Sequence, residues 1–229
     1  MAWAVTDRGT VQTLDSAADT VVPSFTPGAS KLLVAWFSGI ADPTAVSGHG
    51  TWSQIGSNLS WDTGDQSTLR VYACKTSGSP SASAVTFTHA GAWHRCAGVV
   101  EINEDAAGLP SAVADCFGTP GTYVAYLGGS PPIALPVTLG AFADSANLAI
   151  QIGVSNSGGT DTSFAPEATW TEVHEVGTTN QQGAFAYKAG QDTSPSMTSD
   201  NDFSYAASFA VEVKKAGGAS PILFAQGIC

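Results

Sequence analysis

Residues 31–39 read Lys-Leu-Leu-Val-Ala-Trp-Phe-Ser-Gly. The six side chains from Leu32 to Phe37 are apolar without a break. The run is too short for a typical buried helix and is bounded by polar residues and glycine, so it reads as a strand. A strand sends successive side chains to opposite faces. One that is apolar at every position is buried on both sides or lies central in a sheet. Residues 148–153, Leu-Ala-Ile-Gln-Ile-Gly, have nearly the same character.

Working outward from these two strands, the chain matches itself in order. TWSQI (51–55) is answered by TWTEV (169–173), and RVYACK (70–75) by AFAYK (184–188). GVVEIN (98–103) is answered by FAVEVK (209–214), and the lead-in Val22-Pro23 by Leu135-Pro136. Two pseudo-repeated units, about 11–103 and 123–214, are expected within a single β-sandwich domain over residues 1–215. Residues 216–229 form a C-terminal docking tail in this reading. Helix periodicity is nearly absent, and the candidate elements are short, rich in Val, Thr, Phe, Tyr and Trp, and punctuated by Gly, Pro, Ser and Asp.

Alternation fixes an expected phase. Val85 and Phe87 share a face in AVTFT (84–88). Val100 and Ile102 turn inward, as do Phe209, Val211 and Val213. Glu101 and Glu212 then lie on the opposite face, toward solvent. The same phase turns Tyr72 and Cys74 inward, matched by Phe185 and Tyr187, and sends Lys75 and Lys188 outward. Residues 39–50 and 154–168 read as long loops, as do 76–83 and 189–196. The fold class is therefore all-β: an antiparallel, jelly-roll-like sandwich of about eight to ten strands.

Composition narrows the function. The chain has 229 residues, 43% hydrophobic and 12% charged, with a net charge of −11. Between Cys96 and Tyr187 there are nine Asp or Glu and no Lys or Arg. Nucleic acid and anionic membrane surfaces are poor partners for such a chain. MAWAVTDRGT (1–10) has no basic segment leading into an apolar run, so no signal peptide is expected. No apolar stretch is long enough to insert in a membrane. Cys74, Cys96, Cys116 and Cys229 fit no metal or redox spacing, and free buried thiols are the simplest reading. A Cys74–Cys96 disulfide and a Cys229 link between subunits are the alternatives.

Catalytic signatures are weak. EINED (101–105) approximates the paired carboxylates of retaining glycosidases on β-sandwich folds. Its middle residue is Asn103, however, Glu104 falls out of phase, and Glu101 recurs as Glu212. A residue repeated by the fold is a poor unique nucleophile. His49, His89, His94 and His174 are scattered, and a site of His89 and His94 with Asp62 or Asp65 is the only metal candidate. No cofactor motif is found. Trp52 and Trp170 recur and read as packing. Trp3, Trp61 and Trp93 do not recur in the other unit and are candidates for protein or glycan contact, as are Ile222, Leu223 and Phe224 in the tail.

The order of KLLVAWFSG (31–39), TWSQI, RVYACK, AVTFT and AGVVEIN (97–103), echoed in the second unit, resembles a family of β-sandwich domains. These occur in tailed-phage virion proteins and in some bacterial surface proteins. The resemblance spans about residues 20–215. It implies a jelly-roll-like fold and a non-enzymatic accessory role in a virion, as a minor tail, tail-tip or capsid-decoration protein. Its partners would be other virion proteins, in a homo-oligomer or symmetric array, with a host-surface glycan as the alternative ligand. No catalytic residues carry over.

Overall fold

The computed structural model describes residues 3–13, 19–61, 67–91, 94–104, 108–126, 132–156, 163–177, 181–199 and 205–217. In the first half the strands are β1 (Trp3–Thr13), β2 (Thr20–Phe25), β3 (Leu32–Gly39), β4 (Pro43–Ser47), β5 (Ser53–Gln54), β6 (Leu59–Ser60), β7 (Thr68–Lys75), β8 (Ser83–His89) and β9 (Arg95–Glu104). A 3₁₀ turn (Ala114–Cys116) leads to the second half. There the strands are β10 (Gly121–Tyr126), β11 (Ile133–Pro136), β12 (Leu148–Asn156), β13 (Phe164–Pro166), β14 (Thr171–Gly177), β15 (Gln182–Ala189), β16 (Ser196–Ser199) and β17 (Tyr205–Val213). The fold is all-β with antiparallel pairing throughout these strands.

Four sheets result. One large sheet runs β1-β9-β3-β7-β5, with β6 also on β7, and the other runs β10-β17-β12-β15-β14. Two small sheets run β2-β8-β4 and β11-β16-β13. Counted from β10, the second half's strands take the same places as the first half's: β17 answers β9, β12 answers β3, and β16 answers β8.

The cores show how the sheets stack. The main cluster joins Leu32, Val34, Trp36, Val100 and Ile102 of the first large sheet to Leu148, Ile150, Ile152, Phe209 and Val211 of the second. A second cluster sets Ala35, Phe37 and Val99 against Val22, Val85 and Phe87 of one small sheet. A third sets Ala149 and Ala184 against Leu135, Phe164 and Met197 of the other. The order of layers is therefore small, large, large, small. This explains why LLVAWF has no polar position: every residue of β3 is buried, because each face meets another sheet. Full burial of each large apolar side chain contributes about 1.5–3 kcal/mol.

Several expectations change. A sandwich of eight to ten strands becomes four layers. β1 (Trp3–Thr13) joins the first large sheet and β10 (Gly121–Tyr126) the second. The stretches 39–50 and 154–168 contain β4 and β13, short edge strands of the small sheets. Phe185 and Tyr187 pair with Ile152 and Ile150 and face the central core. In β7, however, Val34 pairs with Ala73, so Val71 and Ala73 take that face. Tyr72 packs instead in the core with the small sheet. The two Tyr strands are thus offset by one residue, and in a strand one residue reverses the face.

Candidate functional site

The seam between the two large sheets carries a short polar chain. β1 bulges between Asp7 and Gly9, leaving Arg8 as the extra residue. Asp7 opposes Val100 and so faces the seam. β14 has its own register shift between Glu172 and His174. Asp7 Oδ1 lies 2.9 Å from His174 Nδ1, and Trp36 Nε1 donates to His174 Nε2 at 3.0 Å. This pairing requires the proton on Nδ1, with Nε2 as the acceptor. Glycine at 98 leaves room for it: a Cβ there would stand 2.5 Å from His174 Nε2 and 2.6 Å from Trp36 Nε1. Farther along, Ser38 Oγ donates to Gln181 Oε1, and Gln181 Nε2 to Ser67 Oγ.

Burial holds the His174 pKa below the usual histidine value, against the opposing pull of Asp7. His89 is lowered as well, by burial and then by Arg95. For a histidine depressed in the folded state, the unfolded chain binds more protons at acidic pH. Stability is therefore fully present above the unfolded value of about 6.5 and declines as pH falls toward the folded value. Thermal melts across this range should show a midpoint that is flat above neutrality and drops on acidification. His174→Gln should reduce that drop, and an unchanged profile would rule out His174 as a contributor.

The repeated glutamates are not on a solvent face. Glu101 is 7% and Glu212 6% exposed. Both stand opposite the central core, as alternation requires, but that face is also covered. Each carboxylate is held by the segment leading into the first central strand of its half. Glu101 Oε2 accepts from Arg8 Nε at 3.0 Å, Arg8 Nη2 at 2.8 Å and Gly28 N at 3.0 Å. Glu212 Oε1 accepts from Ala143 N at 2.8 Å and Asn147 Nδ2 at 2.6 Å. The bulge in β1 brings Arg8 to Glu101 while Asp7 reaches across the seam. The carboxylates work as clamps. Glu104, the other glutamate of EINED, accepts from Gly108 N.

Trp61 is fully buried in the central core and offers no stacking surface, which removes it as a glycan contact. It shares that cluster with Leu69, Val71 and Ile55. Trp3 begins β1, and its Nε1 donates to Ala146 O at 2.9 Å, tying the first half to the second. Trp93, Ile222, Leu223, Phe224 and Cys229 lie outside the described residues. Trp170 is buried against its small sheet, and Trp52 is half-buried at the matching place.

His89 is buried, with Nε2 near Thr20 Oγ1 and Arg95. Asp62 and Asp65 lie outside the described residues. Among the described residues no three His, Cys, Asp or Glu come together to hold a metal. Cys74, Cys96 and Cys116 are free and buried. Cys74 and Cys96 occupy opposite faces of their sheet, by their pairing with Leu33 and Ser38, so they do not form a disulfide. Burial pushes the Cys74 thiol up to about 12 and that of Cys96 higher still. Both thiols are protonated and inert at neutral pH. No helix among the described residues is long and apolar enough to cross a membrane.

Two larger recesses stand out among the described residues, with a smaller one beside Glu212. One, of about 230 Å³, lies between β5 and residues 113–120, with Ile55, Val113, Phe117 and Pro120 among its walls. The other, of about 300 Å³, is lined by His49 and the serine-rich loop after β7. Nothing in the sequence patterns separates these from ordinary loops. Compared with known protein families, curated proteins and solved structures, the chain matches none.

Proposed function

We propose that this chain is a non-enzymatic accessory protein of a tailed-phage particle, a minor tail, tail-tip or capsid-decoration protein, working through protein contacts. The observation that supports it most is the way the two halves meet. Each half places a large sheet against the other's, six strands in the first half and five in the second, with matching order along the five-strand path, and the largest core lies between them. We read this as a duplicated unit fused into a preassembled pair, with the geometry of a two-fold self-association built into one chain. Such a body is rigid and offers edges, loops and small-sheet faces to neighbours. The motif order along residues 20–215 supplies the link to virion domains.

The glycosidase reading loses its main support, because Glu101 is committed to Arg8 and Gly28. The glycan reading loses Trp61. Purified particles should contain the chain in a fixed, symmetry-related copy number. Its presence in infected-cell lysate but not in washed particles would overturn the proposal.

A further inference from the structure

The two halves hold the loop beside their repeated tryptophan differently. In the second half, the loop after β15 carries Asp192, which accepts from Trp170 Nε1 at 3.1 Å and from Lys188 Nζ at 2.9 Å. That carboxylate ties the loop down onto its tryptophan. In the first half, Trp52 Nε1 donates instead to Gly48 O at 2.7 Å, and residues 76–82 contain no charged side chain. The loop is held elsewhere, by Ser30 N donating to Ser77 O, and a cavity of about 300 Å³ stays open beside His49.

The turn that presents His49 is strained. His49 itself has φ of 60°, and Gly48 before it has φ of 103°. A Cβ at Gly48 would collide with Ala84 O. Ser30, the anchor of the facing loop, also has a positive φ, of 58°. Non-glycine residues held in this region cost free energy and tend to cluster where a precise surface is needed. The His49 ring packs on Phe25, centroid to centroid 4.3 Å. Neither ring nitrogen makes a hydrogen bond of good geometry among the described residues, although the Ser83 backbone is close enough to act on the ring as a weak partner. Buried polar atoms without partners call for a ligand or water.

The chemistry of the lining selects the ligand. Ser77, Ser79, Ser81 and Ser83 line it; Ser83 Oγ donates to Ala84 O and keeps acceptor capacity, Ser77 Oγ accepts from Ser79 N and keeps its donor, and a serine hydroxyl can otherwise both donate and accept. The lining holds no carboxylate for a cation and no Lys or Arg for an anion. Burial lowers the His49 pKa, which favours the neutral ring with its one donor and one acceptor. We propose that the Gly48–Gly50 turn and the loop of residues 77–83 bind a neutral, hydroxyl-rich ligand, a single sugar residue of a larger glycan or a free saccharide. This site does not depend on the chain being a virion protein.

The test is an NMR titration of the isotope-labelled full chain with glucose, galactose, mannose and N-acetylglucosamine, and with inorganic phosphate as a separate arm. At least one sugar should shift the resonances of 48–50 and 77–83 saturably. His49→Asn, a residue that tolerates positive φ, should weaken that binding at least about tenfold. Ser81→Ala, at an exposed loop position, should weaken it less. A sugar that binds but not an oligosaccharide containing it would mark the free saccharide as ligand; binding of both would mark a glycan. No saturable shift with any of the four sugars, shifts that persist in His49→Asn, or a response to phosphate alone would each overturn the proposal.

Discussion

Trp36→Ala should lower the free energy of unfolding by about 3–5 kcal/mol, the range for truncating a fully buried large aromatic. The whole stability of a domain is commonly only about 5–15 kcal/mol, so this variant should be near the limit of folding. Trp36 is 0% exposed and sits in the central core. Its loss also removes the donor to His174 Nε2. Gly183 of the opposite large sheet lies directly against its ring, and a Cβ at 183 would overlap Trp36 Cη2 and Cζ3. Gly183→Ala alone should therefore cost about 1–3 kcal/mol through overpacking. In the double variant the alanine at 183 occupies space the ring has vacated. The combined cost should then fall below the sum of the single costs. Denaturant unfolding of the four proteins measures this directly. Strict additivity would mean that Trp36 and Gly183 do not meet across the seam.

Glu101→Ala should cost about 2–4 kcal/mol. It strips the acceptor from Gly28 N and leaves Arg8, itself only 25% exposed, without its carboxylate. Glu212→Ala should cost a similar amount, because Ala143 N and Asn147 Nδ2 lose their acceptor. Glu101→Gln keeps an acceptor oxygen and should cost less than the alanine. A solvent-facing glutamate would behave differently: its removal would change stability by no more than about 0.5 kcal/mol. A change that small in both alanine variants would show that the carboxylates do not clamp the segments ahead of β3 and β12.

Much of the fold was legible in the sequence because alternation and its absence are both informative. The all-apolar run 32–37 signalled a strand covered on two sides, and Val100, Ile102, Val211 and Val213 took the inward face assigned to them. The error at Glu101 came from the same rule. Alternation tells which face a residue takes, not whether a second sheet covers that face. The offset between Tyr72 and Tyr187 came from matching tyrosines by type. The hydrogen-bond register instead sets Ala73, not Tyr72, opposite Val34. Trp61 is a contact candidate in the sequence because its neighbours there are polar and Gly-rich, whereas in the fold it belongs to the central core cluster with Leu69 and Val71. The His174–Asp7 contact joins residues 167 positions apart in the chain. No local pattern encodes such a pair, and the bulge that releases Arg8 toward Glu101 is equally silent until β1 and β9 are aligned.

The order of layers also bears on biosynthesis. As translation proceeds, the first half completes β1 through β9 while Val34, Trp36, Val100 and Ile102 still lack the sheet that covers them. Until β12 and β17 emerge, the nascent chain carries a broad apolar wall facing water. The same wall on another ribosome's product is nearly self-complementary, since the two halves share one strand plan. Polypeptides released early, or crowded at high expression, should therefore pair with one another through that wall, and folding yield should depend on how soon the second half arrives to claim it.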